Sequence, residues 1–426
     1  MKRQDTNTAD DGQISDLFKK DLLNRNENLY ALINFINGIE GQMILNIDGA
    51  WGTGKSVFLR QLEYISSTKE YIDYRGTSYQ NMVDTFKKEY FLFYFNSWEH
   101  DLYNNPMESL ISELLMKIAS EKDYEDKIND VKDEINNKFK KFTGDGLRRG
   151  IKIISGGFID LNDKKVDDTL EITSVGSQKE AVNSLLQLLS SITEKRILII
   201  VDELDRCKPS YAVELLEVVK HFFTHDDVVF LFGTNKNELE HTIKSLYGQG
   251  FNGYKYLNRF FDFEFSLPNI DKDKYIDRKY SDDSNLLLHD FTKYSIDYFN
   301  LSMRDIERLY ALINVIGTKK NYQNNQDYIF IDFVIVVYAI CLKIDNGNGY
   351  KKFMDGQGRD DFLLFCDDSF QTINEIYYRK EKDEIMEKIN NFYSMFPNFS
   401  YDGLYGRDRA SEYLKNSMKL LTMLSI

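Results

Sequence analysis

Cysteine is scarce in this chain. Only Cys207, Cys341 and Cys366 occur among 426 residues, and no two are closely spaced. A disulfide framework or zinc knuckle is therefore not expected, and a reducing cytoplasm fits. Histidine is nearly as rare. Of His100, His221, His225, His241 and His289, only His221 and His225 share a helical spacing, without a carboxylate-plus-histidine signature around them. That pair reads as a helix surface. No long apolar run is present either. The best, Phe333 to Leu342, extends to Tyr328 only through Asp332. It falls short of the roughly 20 residues that a bilayer span needs, so a buried core helix is expected there and no transmembrane segment. Arg149 to Phe158 is shorter and contains Lys152. The N-terminus opens Met1-Lys2-Arg3-Gln4-Asp5 and stays polar, unlike a signal peptide. A net positive charge is also lacking. A net charge of −14 excludes a chain-wide electrostatic footprint for nucleic acid or an anionic membrane, while a local basic patch stays open. No internal repeat stands out.

What is present is decisive at one place. The apolar run Met43-Ile44-Leu45-Asn46-Ile47-Asp48 is followed at once by Gly49-Ala50-Trp51-Gly52-Thr53-Gly54-Lys55-Ser56. This is the strand–loop–helix grammar of a phosphate-binding loop, G-x-x-x-x-G-K-S. Glycine at 49, 52 and 54 lets the backbone turn tightly and present N–H groups to phosphates. Lys55 brings a point charge to the β- and γ-phosphates, and the Ser56 hydroxyl is placed to hold Mg²⁺. Val57 and the residues after it read as a helix whose N-terminal dipole adds to the anion site. The candidate nucleotide-binding residues are Gly49, Ala50, Trp51, Gly52, Thr53, Gly54, Lys55, Ser56 and Val57.

A hydrophobic content of 42% over 426 residues allows two or three domains with sizeable cores. Residues 1–24 read as a polar tail and a helix around Asp16 to Leu23. A second helix pattern, Leu29 to Ile36, leads into the loop strand. Tyr90 to Phe95 and Arg196 to Asp202 are apolar runs suited to strands buried on both faces. Pro106 opens a helix, Met107 to Ala119. Residues 120–178 are charged and glycine-rich with little periodicity, and read as a mobile insertion. A helix resumes over Glu180 to Ile192. Ser210 to Phe223 reads as a helix, Val228 to Phe232 as a strand, Glu238 to Tyr247 as a helix and Phe261 to Leu267 as a last strand, closed by Pro268. Strands alternating with helices imply an α/β fold with a mainly parallel sheet. Beyond about 270 the patterns are helical, with Ser302 and Asp305 spaced nearly as a capping box.

Hydrolysis of a nucleotide needs a cradle, a metal holder, a water activator and a charge stabiliser. The cradle is Gly49 to Ser56, and the metal holders are Ser56 and Asp202. Glu203 directly follows that acid and is the natural group to polarise the attacking water. Asn235 is favoured over Thr234 as a polar sensor at the end of the neighbouring strand, with an ordinary strand-end cap as the other reading. Arg259 and Arg304 are the candidate charges for the transition state, and each also reads as a surface ion-pair residue. Asn235-Lys236-Asn237-Glu238 superficially resembles a guanine-reading N-K-x-D, but its last acid is Glu and no D-x-x-G follows Asp202. The adjacent Asp202-Glu203 favours attack by water over transfer to a small-molecule substrate.

Together these motifs resemble the KAP family of P-loop NTPases over about residues 25 to 315. The resemblance rests on Gly49 to Ser56, Phe95-Asn96-Ser97-Trp98, Asp202-Glu203-Leu204-Asp205-Arg206, Tyr256-Leu257-Asn258-Arg259-Phe260-Phe261 leading to Leu267-Pro268, and Ser302-Met303-Arg304-Asp305. It implies a five-stranded sheet in the order 5-1-4-3-2, an NTPase core over 25–268, a helical lid over 269–320 and a helical region over 321–426. It also implies ATP and Mg²⁺ as cofactors and a homo-oligomer; Arg259 stands where oligomeric NTPases place an arginine finger, and Arg304 where they sense the γ-phosphate. Relatives in bacterial phage exclusion suggest an antiviral switch acting with a separately encoded effector. A motor on nucleic acid or protein, and a scaffold with little turnover, are the competing functions. Two departures stand out. The insertion at 120–178 is polar where many members carry transmembrane helices, and Asp202-Glu203 replaces the frequent Asp-Asp.

Overall fold

The computed structural model describes residues 11–68, 77–102, 105–135, 175–280, 286–316, 326–377, 386 and 417–423. The chain forms two compact units, residues 1–270 and 271–426.

The first unit runs α1 (Asp11–Lys19), α2 (Asn26–Asn37), β1 (Met43–Asp48), α3 (Lys55–Ser67), α4 (Thr77–Glu89), β2 (Tyr90–Asn96), α5 (Ser97–His100), α6 (Pro106–Ser120) and α7 (Glu125–Asp130). It continues with α8 (Val175–Thr193), β3 (Arg196–Asp202), α9 (Pro209–Phe222), β4 (Val228–Thr234), α10 (Lys236–Tyr247), α11 (Gly253–Leu257) and β5 (Phe263–Ser266). The five strands form one parallel sheet in the order β2-β3-β4-β1-β5. This is the expected order, read from the opposite edge.

Alternation along each strand divides the core between the two faces. Phe91, Phe93, Phe95, Ile197, Ile199, Val201, Phe230 and Phe232 pack with Leu114, Leu185, Leu215 and Leu239 of α6, α8, α9 and α10. Leu45, Ile47, Leu92, Leu198, Ile200, Val229 and Leu231 pack with Phe18, Leu29, Phe58 and Phe86 of α1 to α4. Burial on both faces is why the central strands read as unbroken apolar runs. Each fully buried Leu, Ile or Phe contributes about 1.5–3 kcal/mol. β5 is an edge strand, mostly exposed, with Phe35 of α2 packed edge-on against Phe263 and Phe265 at 5.3 and 5.1 Å.

Register positions the site. Asp48 lies opposite Thr234, Asp202 opposite Gly233, and Asn96 opposite Asp202. The carboxyl ends of four strands therefore meet at one edge of the sheet, where ligands bind in open α/β folds.

Some local expectations shift. The first helix covers Asp11–Lys19 rather than 16–23, because Asp21 turns left-handed (φ 46°). α4 was not legible in advance, since among its described residues only Val83 and Phe86 are fully buried. The start of the presumed insertion is packed: α7 forms there, and Ile128 and Ile135 are buried in the core. The rest of that expectation falls mainly on 136–174, outside the described residues.

The second unit is helical: α12 (Lys272–Tyr280), α13 (Leu286–Tyr298), α14 (Met303–Ile316), α15 (Gln326–Asp345), α16 (Gly347–Met354) and α17 (Arg359–Tyr377). Residues Phe333 to Cys341 of α15 are buried, so the apolar run is a core helix. Among the described residues no helix is long and apolar enough to cross a membrane. Ser302 and Asp305 do cap α14 reciprocally: Ser302 Oγ accepts from Asp305 N–H and Asp305 Oδ2 accepts from Ser302 N–H, both at 3.3 Å.

Candidate nucleotide site

The loop after β1 is held at both ends. Gly49 N–H donates to the Thr234 carbonyl at 3.1 Å, fixing its start to β4. Gly52 and Gly54 adopt φ of 79° and 82°, a left-handed region that costs a side chain, and Gly54 is the N-cap of α3. Lys55 is buried and its ammonium donates to the carbonyls of Gly49 and Ala50. Burial lowers its pKa, while Asp205, Asp202, Asp48 and Glu203 pull it back up. The loop thus presents a desolvated cation ringed by acids. Ala50, Trp51 and Gly52 are exposed, whereas Thr53, Ser56 and Val57 are half-buried.

Asp202 ends β3 almost fully buried. Tyr94 of β2 donates its hydroxyl to Asp202 Oδ2 at 2.6 Å, and Glu203 N–H donates to Oδ1 at 2.9 Å. Ser97 Oγ donates to the Asp202 carbonyl at 2.6 Å. Burial pushes the Asp202 carboxyl upward, against the bonds from Tyr94, Ser56 and the Glu203 N–H. A glycine stands close beside it. A Cβ at Gly233 would stand 3.0 Å from Asp202 Oδ1 and 2.5 Å from Leu59 Cδ1. The Asn96-Ser97-Trp98 segment is a brace. Asn96 caps α5 by accepting from Trp98 N–H at 3.2 Å, which leaves Ser97 facing β3.

Glu203 sits at φ 62°, unusual for a residue with a side chain. Strain of this kind collects at functional positions. The turn brings Glu203 Oε1 to 3.2 Å from Ser56 Oγ, and Oε2 pairs with Arg206 Nε. Burial and the neighbouring Asp202 push Glu203 up to about 7, with Arg206 opposing. The Arg206 guanidinium lies 5.5 Å over the Trp98 ring, and Trp51 Nε1 donates to Asp205 Oδ2.

The donor set suits magnesium. Mg²⁺ takes oxygen ligands, with one or two side chains and the rest from phosphate and water. The Ser56 hydroxyl and the buried Asp202 carboxylate are such donors, brought together by the ends of α3 and β3. Among the described residues no group of three His, Cys, Asp or Glu could hold a metal by itself. A hydroxyl and one acid shared with a phosphate ligand therefore fit this edge of the sheet.

The remaining candidates separate. Asn235 is buried and caps α10, its Oδ1 accepting from Glu238 N–H at 3.5 Å. Thr234 donates to Asn46 Oδ1 at 2.9 Å and is fully buried. Lys236, whose place in the sequence resembles a guanine reader, pairs with Glu264 at 2.5 Å and donates to Asn258 at 2.6 Å. It is committed to holding β5 and the segment before it. Arg259, the next residue after Asn258, is exposed, and its side chain has no partner among the described residues. Arg304 stands in the first turn of α14 in the second unit, half-exposed.

Sequence reasoning missed three residues here. Tyr94 reads only as strand core. Ser97 lies within a motif whose role its spacing does not reveal. Arg25 precedes α2 in a polar stretch, yet it is almost wholly buried and donates Nη1 to the Thr53 carbonyl at 2.7 Å.

No curated protein sequence matches the chain. The model of the KAP family P-loop domain matches residues 25–319, more than half of the chain. With a phosphate loop, a strand-end acid pair and a parallel sheet behind them, the chain belongs to the KAP family of nucleotide-binding P-loop NTPases.

Proposed function

We propose that this chain binds ATP with Mg²⁺ and hydrolyses it, working as an oligomeric switch. One observation carries the reading: the Glu203 carboxyl, turned back by a left-handed backbone, touches Ser56 beside the buried Asp202. Lys55 and the N–H groups of Gly49 to Val57 would hold the phosphates. Ser56 and Asp202 would hold the ion, which neutralises charge on the β- and γ-oxygens. Glu203 would orient a water and take its proton as it attacks the γ-phosphorus.

Arg259 supports action across subunits, because an exposed guanidinium with no partner among the described residues can reach a neighbour's nucleotide. Arg304 would read the γ-phosphate from the lid, and Asn235 would sense it from the end of β4. In this reading residues 25–268 are the NTPase core, 269–320 the lid and 321–426 a helical region. The family resemblance supports a role in bacterial antiphage defence with a separately encoded effector. The absence of a nuclease, protease or deaminase motif in the sequence agrees with that division of labour.

The test is mass photometry without nucleotide, with ATP–Mg²⁺ and with ADP, beside phosphate release. ATP-dependent assembly, with turnover lost in Lys55→Ala, Glu203→Gln and Arg259→Ala, supports the switch. A monomer whose hydrolysis ignores Arg259→Ala sinks the trans arginine. Oligomerisation and activity in cells both unchanged by Glu203→Gln would favour a scaffold instead.

A further inference from the structure

Arg25 is an anomalous charged group in the first unit. It is 2% exposed. Among the described residues its guanidinium pairs with no carboxylate. The nearby Asp21 accepts from the backbone N–H groups of Arg25 and Asn26, at 2.9 and 3.2 Å. The guanidinium instead donates to two backbone carbonyls from distant segments. Nη1 reaches Thr53 in the phosphate loop at 2.7 Å, and Nη2 reaches Pro268. Nε has no partner. Burial lowers the group to about 10, still charged at neutral pH. A buried cation without a counter-anion is costly, and among the described residues no carboxylate neutralises this one.

Its location gives that charge a use. A Cβ at Gly54, the residue that opens α3, would lie 3.4 Å from both Arg25 Nη1 and Ile270 Cδ1. The guanidinium therefore stands directly behind the turn of the phosphate loop. The same side chain grips the peptide at Pro268, from which the chain continues into residues 271–426. Arginine can hold two carbonyls at once through its planar fork, and lysine cannot reproduce that geometry.

We propose that Arg25 is a positioning residue that sets the phosphate loop and relays its occupancy to residues 268–270. Its field adds to the attraction for the nucleotide's phosphates. A shift of the Thr53 carbonyl on nucleotide binding is transmitted through one rigid fork to Pro268. The relay rests on the nucleotide reading of this loop, but not on hydrolysis.

The test is amide hydrogen exchange at Asn269 and Ile270, with and without ATP–Mg²⁺, in the wild type and in Arg25→Lys. Affinity for a fluorescent ATP analogue is measured on the same samples. The wild type is expected to exchange more slowly at 269–270 when nucleotide binds. In Arg25→Lys affinity is expected to fall about tenfold, and exchange at 269–270 no longer to respond to nucleotide, even at saturation. A merely structural arginine would change basal exchange but leave the response. Two results overturn the relay: a wild type whose 269–270 exchange ignores nucleotide, or an Arg25→Lys protein that keeps both affinity and response. The first needs no variant, so a misfolded substitution does not rescue the idea. Loss of hydrolysis in the wild type, with nucleotide-dependent exchange intact, would count against the ATPase reading and not against Arg25.

Discussion

The carboxyl ends of the strands and the flank where α6 meets α9 both bury acids, and they surround them differently. At the strand ends Asp202 accepts from Tyr94 and from Glu203 N–H, and Glu203 meets Ser56 and Arg206. On the flank, Glu108 of α6 is 1% exposed and neither carboxylate oxygen has a partner, nor does the nearby Ser112 Oγ. Burial alone pushes Glu108 up to about 8. The contrast teaches what a raised carboxyl means. Perturbation of the acid is common to both places, so it does not by itself mark chemistry. Partners that aim the group at a shared point do.

The comparison can be broken most severely at the strand ends. Lys55→Ala and Glu203→Gln should each cut turnover by about a hundredfold or more while the protein still folds. Steady-state phosphate release and a thermal melt check both halves. Retained turnover in Glu203→Gln would return the strand end to the same status as the flank. Arg259→Ala comes next, with an expected loss of about 10²-fold in turnover and near-normal nucleotide affinity. Mixing it with Glu203→Gln protein should restore activity if the two act on one site from different subunits, and no rescue counts against that. Tyr94→Phe removes one hydrogen bond to a charged acid, worth about 1.5–3 kcal/mol. A several-fold rise in the Mg²⁺ concentration for half-maximal turnover is expected, and an unchanged value removes Tyr94 from the site.

The smallest effect lies on the flank, and it has a sign. The Glu108 carboxyl is raised in the folded protein from 4.5 to about 8, so between those values the folded state binds the extra proton. Stability should therefore fall as pH rises through this window, by up to about 1.4 kcal/mol per pH unit from this residue. Glu108→Gln should flatten that slope and raise stability at pH 8, with turnover unchanged. Urea titrations of both proteins at pH 5.5 and 8 decide it. Parallel slopes would show that Glu108 is neutralised in another way.

Much of the fold was legible because the central strands are buried on both faces. Continuous apolar runs such as Arg196–Asp202 then announce themselves without knowledge of their neighbours. α4 escaped because it buries little and its sequence is largely polar. The packed start of the 120–178 segment escaped because Ile128 and Ile135 are isolated apolar residues among charges. At the site, the loop and the adjacent acids were readable from spacing. Asn235 was readable as a polar strand end, but its capping of Glu238 N–H comes from the folded turn.

The sequence by itself determined the phosphate loop, the acid pair after β3 and the parallel sheet between them. Those features are local, written in glycine positions, adjacent charges and the length of apolar runs. Only the tertiary structure decided what restrains them. Tyr94 reaches Asp202 across 108 residues, Ser97 across 105, and Arg25 reaches Pro268 across 243. No periodicity records such pairings, because each exists only once strand register has set the partners side by side and burial has made an unpaired polar group costly.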